Sequence, residues 1–277
     1  MSGDALDGRG VADAVRVLRG RRISTLTGAG ISTDSGIPDY RGQGAPVRTP
    51  MSFERFRGEE LARKRYWAGS HLGWRRFRGA EPNPGHLALA ELERAGVVNG
   101  VITQNVDDLH LRAGSARVVE LHGSMRSVSC LSCGQRYARE AIAGLLTALN
   151  PWLETVTGAE LAPDGDVAIA DVERMVVPVC ERCRGMLRPD VVFFGELVPQ
   201  RRFAHAAALA ARSEALLVAG SSLAVNSGIR IVEIARRRRI PIIVVNRGPT
   251  KADARAAVRI EGGTSQVLAE IRDQLLA

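Results

Sequence analysis

Lysine is almost missing from this chain: of its 38 basic residues only Lys64 and Lys251 are lysine, and the other 36 are arginine. A replacement so uniform along the whole length points to codon bias rather than to a designed binding face. The net charge of +8 and the pI of about 10.1 therefore say little about a nucleic-acid partner. Arg63-Lys64-Arg65, Arg75-Arg76 and Arg236 to Arg239 form basic clusters, but aromatics flank only the first two, which favours a solvated surface. Long apolar runs are also missing. None approaches the ~20 residues that a membrane helix requires, and the opening MSGDALDGRG has no apolar signal core, so the chain is expected to be cytoplasmic and to stay off membranes. No internal repeat or low-complexity linker is visible. What remains is 277 residues of ordinary composition, 45% hydrophobic and 25% charged, enough for one large domain or a large one plus a small one.

Cysteine is scarce but ordered. Its four copies form two knuckles, Cys130-x-x-Cys133 and Cys180-x-x-Cys183, with none left over. Disulfides are not expected in a reducing compartment, and paired C-x-x-C knuckles have the spacing of a closed, tetrahedral thiolate zinc site. The long stretch between them implies an inserted segment; two redox dithiols are the rival reading.

The apolar spacing of Val11 to Arg19 is helical and leads into a strand-like run, Arg22 to Thr27, that ends at Gly28-Ala29-Gly30. Further strands are expected at Val97 to Thr103, Arg117 to Leu121, Val191 to Phe194, Leu216 to Ala219, Ile240 to Val245 and Val258 to Ile260. Helices are expected at Gly85 to Arg94, Arg202 to Arg212, Ser227 to Arg238 and Thr264 to Leu276. Asn83-Pro84 suits a cap followed by proline in the first turn. The alternation implies an α/β fold with a mostly parallel, Rossmann-like sheet covered on both faces. Two stretches break the rhythm: Ala45 to Gly79, rich in arginine and aromatics, and Ser129 to Arg184, which holds the cysteines. They are expected to form a smaller helical and zinc-binding domain from 45–83 and 129–184, leaving 1–44, 84–128 and 185–277 for the nucleotide-binding domain.

Several segments carry candidate chemistry. Gly28-Ala29-Gly30-Ile31-Ser32 follows the first strand, where glycines let the backbone approach a pyrophosphate at a helix start. Position 33, where a third glycine belongs, is Thr33, and the usual acidic residue about twenty positions on is missing, so any dinucleotide site is a variant. Gly36 to Arg41 is a turn-rich loop placed to cover a ligand, although Asp39 and Arg41 would also suit a surface ion pair. Thr103 to His110 brings amide and carboxylate side chains to a strand end, where Asp107 or Asp108 could equally cap the next helix. His122, in Glu120-Leu121-His122-Gly123, sits at another strand end and is a candidate general base; a lone histidine is more often structural.

Taken together, GAGIS, GIPDYR, TQNVDDLH, ELHG, the paired knuckles, RPDVVFFGE, GSSLAV and VVNRGPTKAD occur in the order found in the sirtuin family, which the chain resembles from about residue 20 to 263. Tyr66-Trp67-Ala68, Glu81-Pro82-Asn83-Pro84, the stretch from Ala162 to Asp166 and Gly248-Pro249-Thr250 resemble its class II branch.

The resemblance implies an NAD-dependent protein-lysine deacylase that consumes NAD and releases nicotinamide and O-acyl-ADP-ribose, with one structural zinc on Cys130, Cys133, Cys180 and Cys183. It implies that Ala29, Gly30, Ile37, Asp39, Asn105 and Asp107 line a nicotinamide pocket, with Gly28, Tyr40 and Arg41 beside it, and that Gln104 holds the ribose. Gly220, Ser221, Ser222, Asn246 and Gly248 would bind the pyrophosphate and adenosine end, with Gly262 near the adenine. Val192, Phe194, Gly195 and Glu196, with Val225 and Asn226, would sandwich an acyl-lysine peptide as an added strand. His122 would accept a ribose proton, with Asn105 and Asp107 also in the catalytic set. Two departures stand out. Asn226 replaces the expected tyrosine or aliphatic residue, and the Tyr-x-x-Arg pair that marks succinyl-lysine specificity is absent, which disfavours a strongly acidic acyl group. The alternatives are protein mono-ADP-ribosylation at the same NAD site, or a non-catalytic zinc protein that binds NAD or nucleic acid.

Overall fold

The computed structural model describes residues 8–39, 50–156 and 171–277. The elements run α1 (Gly8–Leu18), β1 (Ile23–Thr27), α2 (Phe53–Gly58), α3 (Glu60–Gly79), α4 (Pro84–Arg94), β2 (Val98–Thr103), α5 (Leu109–Arg112), β3 (Val118–Glu120), β4 (Gly123–Cys130), β5 (Arg136–Ala138), α6 (Arg139–Leu149), β6 (Leu187–Val191), α7 (Gln200–Ala211), β7 (Ala215–Ala219), α8 (Asn226–Arg237), β8 (Ile242–Asn246), β9 (Val258–Glu261) and α9 (Thr264–Leu276). No helix among the described residues is long and apolar enough to cross a membrane.

Six strands form one parallel sheet in the order β3-β2-β1-β7-β8-β9. Side chains alternate across it, as the two-residue strand period requires. Ile23, Leu217, Ala219, Ile243 and Val245 face the layer of α1, α4 and α9. Leu26, Leu216, Val218 and Val244 face α7 and α8. In α1 the buried residues Val11, Ala14, Val15 and Leu18 form the one-sided stripe that fixes a surface helix to a sheet. The chain winds outward from β1 through β2 to β3, and later from β7 through β8 to β9. A crevice therefore opens at the carboxyl ends of β1 and β7, where the winding reverses.

A second unit stands beyond the sheet. It combines α2, α3 and α6 with a three-stranded antiparallel sheet in the order β5-β4-β6. Aromatics make up 4% of the chain, yet this unit's core gathers Phe56, Tyr66, Trp67 and Phe193, with Phe56 and Tyr66 ring centroids 4.8 and 5.0 Å from that of Phe193.

Three expectations need correction. The strand expected at Val191 to Phe194 lies instead at Leu187–Val191 and belongs to the small antiparallel sheet. Past Val191 the amides serve loop contacts: Val192 donates to the His122 carbonyl at 2.7 Å and Phe193 to the Glu196 carboxylate at 2.8 Å. Of the apolar run VVFF only Phe193 is buried in the small unit's core, while Phe194 is exposed and makes a single bridge with Ser52. Phe194-Gly195-Glu196 is a turn, with Glu196 donating back to the Phe193 carbonyl at 3.1 Å and Gly195 at φ 84°. Asn226 is the first residue of α8 and only Val225 before it is extended, so Val225-Asn226 is not one extended segment.

Trp67 is fully buried in the small unit's core. Truncating it as Trp67→Ala should cost about 3–5 kcal/mol, the usual range for a buried large aromatic, read as a lower denaturant midpoint; a loss below about 1 kcal/mol would show that this core does not hold the unit together.

Candidate active site

The crevice is built by backbone, not side chains. Gly28 donates to the Ala219 carbonyl at 3.3 Å and Gly30 to the Gly220 carbonyl at 2.8 Å, so the turns after β1 and β7 lie against each other. A Cβ on Gly30 would meet the Gly220 backbone at 3.0 Å; one on Gly220, which is at φ 63°, would meet the Ile31 nitrogen at 2.3 Å. No side chain fits between the strands.

From this crevice a cavity of about 350 Å³ runs to the small unit. Gly28, Ala29, Gly30, Ile37 and Asp39 line one wall, and Gln104, Asn105, Asp107 and His122 the next. Gly220, Ser221, Ser222, Asn246 and Gly248 close the far side, with Val192, Phe194 and Val225 at the rim. Of the expected site residues, Gly262, Gly195, Glu196 and Asn226 do not line it. Gly262 stands behind Asn246, donating to its carbonyl at 3.4 Å. Glu196 is turned inward, with both carboxylate oxygens 2.7 Å from Arg188, whose guanidinium stacks over Phe53 and Phe193. Tyr40 and Arg41 lie outside the described residues, as does 162–166.

Asn105 and Asp107 are brought together by Ser32, which sequence reasoning passed over because nothing separates one serine in a glycine-rich turn from another. Ser32 Oγ donates to Asp107 Oδ2 at 2.6 Å and accepts from Asn105 Nδ2 at 3.0 Å. Asp107 Oδ1 accepts the Leu109 amide at 3.1 Å, the first amide of α5, from the position before the N-cap Asp108, whose own side chain makes no cap hydrogen bond. Burial raises the Asp107 pKa above the ordinary carboxylate value, against the opposing pull of its hydrogen bonds. Gln104 accepts from Ser221 Oγ at 2.6 Å, and Asn246 Nδ2 spans the Arg247 and Gly248 carbonyls at 2.7 and 2.9 Å.

His122 follows β3 and opens onto the cavity. Its Nε2 lies 2.8 Å from Ser227 Oγ, in the first turn of α8. Burial holds its pKa below the ordinary 6.5, opposed by a hydrogen bond to the Gln104 backbone and assisted by the charge of Arg202. The positive end of α8 acts in the same direction. The ring is neutral at pH 7, as a base must be. Ser227 is a second site residue with no signal in the sequence.

The apolar side of the cavity is formed by Met51, Tyr66, Phe77 and Phe193, and Arg247 is its only basic lining residue among those described.

Away from the cavity, the four cysteine sulfurs lie within 4.8 Å of one another, with Cys130 to Cys183 at 3.5 Å and Cys133 to Cys180 at 3.7 Å. A tetrahedron of Zn–S bonds of about 2.3 Å has edges of about 3.8 Å, so donor type and spacing fit one zinc ion with no open position. Both knuckles turn alike: Gly134 donates to the Cys130 carbonyl at 3.0 Å and Arg184 to that of Cys180 at 2.8 Å. The four sulfurs form one cluster rather than two separate dithiols, which favours the metal site over the redox reading.

With this geometry in view, a family model described as "Sir2 family" matches residues 28–227. The chain belongs to the Sir2 family. A relative from Mycobacterium avium (strain 104), "NAD-dependent protein deacetylase 1", is 52% identical over 95% of this chain and 95% of its own. One of the same name from Streptomyces coelicolor is 48% identical over 96% and 89%. Among solved structures, "Sir2-p53 peptide-NAD+" superposes with a TM-score of 0.77 at 31% identity, covering 95% of this chain and 97% of that one. "Structural Basis for the Mechanism and Regulation of Sir2 Enzymes" does so at 0.76 and 34%, covering 97% and 98%.

For this Sir2-family chain, Cys183→Ser should release the metal and unfold the small unit, because an all-thiolate site contributes its binding energy directly to folding. Metal analysis with thermal melts checks this; a metal-free protein of unchanged stability would contradict it.

Proposed function

We propose that this protein is an NAD-dependent protein-lysine deacylase, moving an acyl group from a lysine side chain to the ribose of NAD with release of nicotinamide. One observation carries the reading: a half-buried His122, its pKa held below the ordinary value by desolvation, opens onto the same cavity as the glycine crevice, and that cavity continues to an apolar side. The relatives named as deacetylases support it, as do the Sir2 structures described with peptide and NAD+ or with a propionylated peptide.

In this reading Gly28, Gly30 and Gly220, with Ser221, Ser222, Asn246 and Gly248, accommodate the pyrophosphate and adenosine, since backbone without side chains permits the closest approach. Ala29, Ile37, Asp39, Asn105 and Asp107 enclose the nicotinamide, and a carboxylate in so dry a setting suits a carboxamide donor. Gln104, clamped by Ser221, orients the ribose. NAD, as co-substrate, supplies a sugar carbon that already bears a cationic leaving group, so the protein's work is to position and desolvate. His122 then takes a ribose hydroxyl proton, its ring held by Ser227 and the Gln104 backbone. Phe194 and Val225 flank the entering lysine. The acyl chain points toward Met51, Tyr66 and Phe193, whose apolar surface suits a neutral acyl group.

Within the family we assign the chain to the class II branch, on Tyr66-Trp67-Ala68, Glu81 to Pro84 and Gly248-Pro249-Thr250. The expected division at 128/129 and 184/185 is moved, because β4 and β6 both belong to the small antiparallel sheet: we divide the chain into a sheet domain of 1–44, 84–122 and 194–277 and a small domain of 45–83 and 123–193. The arginine excess reads as solvated surface, because many of these side chains meet carboxylates, as in Arg112–Glu81 at 2.8 Å and Arg272–Glu91 at 2.9 Å.

The decisive assay is nicotinamide release from NAD with acyl-lysine peptides beside label transfer from NAD to protein; peptide-dependent release without stable labelling supports deacylation over ADP-ribosylation. His122→Ala should lower kcat by roughly 10²–10⁴ with little change in NAD affinity, and near-normal turnover would remove its role as base. Because the His122 pKa is lowered, the base form persists as pH falls, so the acid limb of kcat/KM should lie below pH 6.5. A limb above that value would count against this assignment.

A further inference from the structure

Behind the nicotinamide wall lies the start of α4, and its cap has more hydrogen bonds than a helix start requires. Asn83 Oδ1 accepts the Gly85 and His86 amides at 3.0 and 3.4 Å, as an N-cap does. Its Nδ2, which the helix does not need, donates to the Ile31 carbonyl at 2.7 Å and to Ser35 Oγ at 3.0 Å. The turn following β1 is thereby pinned on both sides of Ser32. His86 completes the cap from the other direction: its Nδ1 accepts the Asn83 amide at 3.4 Å, while its Nε2 lies 3.5 Å from Ser32 Oγ.

These contacts fix proton positions. His86 is fully buried and packs edge-on against the equally hidden His110, ring centroids 4.8 Å apart; two charged rings cannot share that space. A neutral ring whose Nδ1 accepts must carry its proton on Nε2, so His86 donates to Ser32 Oγ. That oxygen then receives two donors, His86 Nε2 and Asn105 Nδ2. Its own single proton has one acceptor left, Asp107 Oδ2, at 2.6 Å. The Asn105 amide is held nitrogen-inward by the same hydroxyl.

We infer that His86, set in the Asn83 cap of α4, is a positioning residue: it directs the Ser32 proton onto Asp107 and so fixes the hydrogen-bonding face that Asn105 and Asp107 present to the nicotinamide. This rests on the nicotinamide assignment made above. The residue touches no substrate. Its effect passes through one hydroxyl, which makes it separable from a packing role.

The test is a double-mutant cycle with two His86 variants. His86→Phe keeps the volume and removes both nitrogens, whereas His86→Gln keeps an amide donor near the Nε2 position. His86→Phe should raise the KM for NAD and the inhibition constant for nicotinamide by roughly 5–20-fold, where the scales of a lost neutral and a lost charge-assisted hydrogen bond meet, with the KM for acyl peptide unchanged. His86→Gln should recover to within about threefold. In a Ser32→Ala background His86→Phe should add less than about twofold, because the route through the hydroxyl is already cut. Full additivity there, or a His86→Phe protein with lowered melting temperature but normal NAD and nicotinamide constants, overturns the inference. Should His86→Phe not fold, nitrogen-15 spectra of histidine-labelled wild type decide the matter: the Nε2–H tautomer at pH 7 supports it, and an Nδ1–H or charged ring refutes it. Wild-type protein that releases no nicotinamide would defeat the functional reading, while the tautomer still tests the proton arrangement.

Discussion

The contact between the turn after β1 and the turn after β7 governs the rest of the molecule. Gly30 and Gly220 meet backbone to backbone, and the Cβ distances there, 3.0 Å and 2.3 Å, leave no room for a side chain on either. The two halves of the sheet can be adjacent at their carboxyl ends only because both residues are glycine. That adjacency makes the crevice, and it brings the glycines and small side chains of both turns to one cavity. The ends of β2 and β3, one and two strands away, then deliver Gln104, Asn105, Asp107 and His122 to the same edge.

Around this crevice the protein uses burial to set charge. Desolvation and the charge of Arg202 hold the His122 pKa below its ordinary value, while Asp107 sits in a dry wall with donors from Ser32 and Leu109. Both departures from ordinary titration arise first from desolvation, and the small unit lends the cavity Tyr66 and Phe193, backed in its core by Phe56 and Trp67. The paired knuckles hold the strands of that unit from the far end. Glu196 belongs to the same support. Its ion pair with Arg188, half-sandwiched by Phe53 and Phe193, braces the turn that carries Phe194 to the rim.

Much of the parallel sheet was legible because its strands are short apolar runs separated by amphipathic helices, and this pattern survives any tertiary context. Thr264–Leu276 was bounded to the residue, and the Asn83-Pro84 cap marked α4 to within one. The antiparallel sheet was not legible. β4, Gly123–Cys130, reads GSMRSVSC and has neither strong alternation nor a turn pair to announce it; it is stabilised by β6 and β5, which are distant or very short. The run VVFF mimicked a strand because apolar residues that fill a neighbouring core and apolar residues that pair in a ladder look alike in one dimension.

By itself the sequence determined the donor chemistry: four thiolates in two knuckles, the glycines that a tight strand-end turn demands, a histidine and an amide–acid cluster at strand ends. These depend on residue type and local spacing, which the chain carries wherever it folds. Only the tertiary structure decided that Ser32 and Ser227 are the partners of Asp107 and His122, that Glu196 faces inward, and that a helix cap at Asn83 and His86 stands behind the wall formed by Asn105 and Asp107. Apart from the Arg188–Glu196 pair, those relations join residues 52 to 105 positions apart through single hydrogen bonds, and no local pattern encodes a contact whose two halves meet only when the sheet and its insertions are packed.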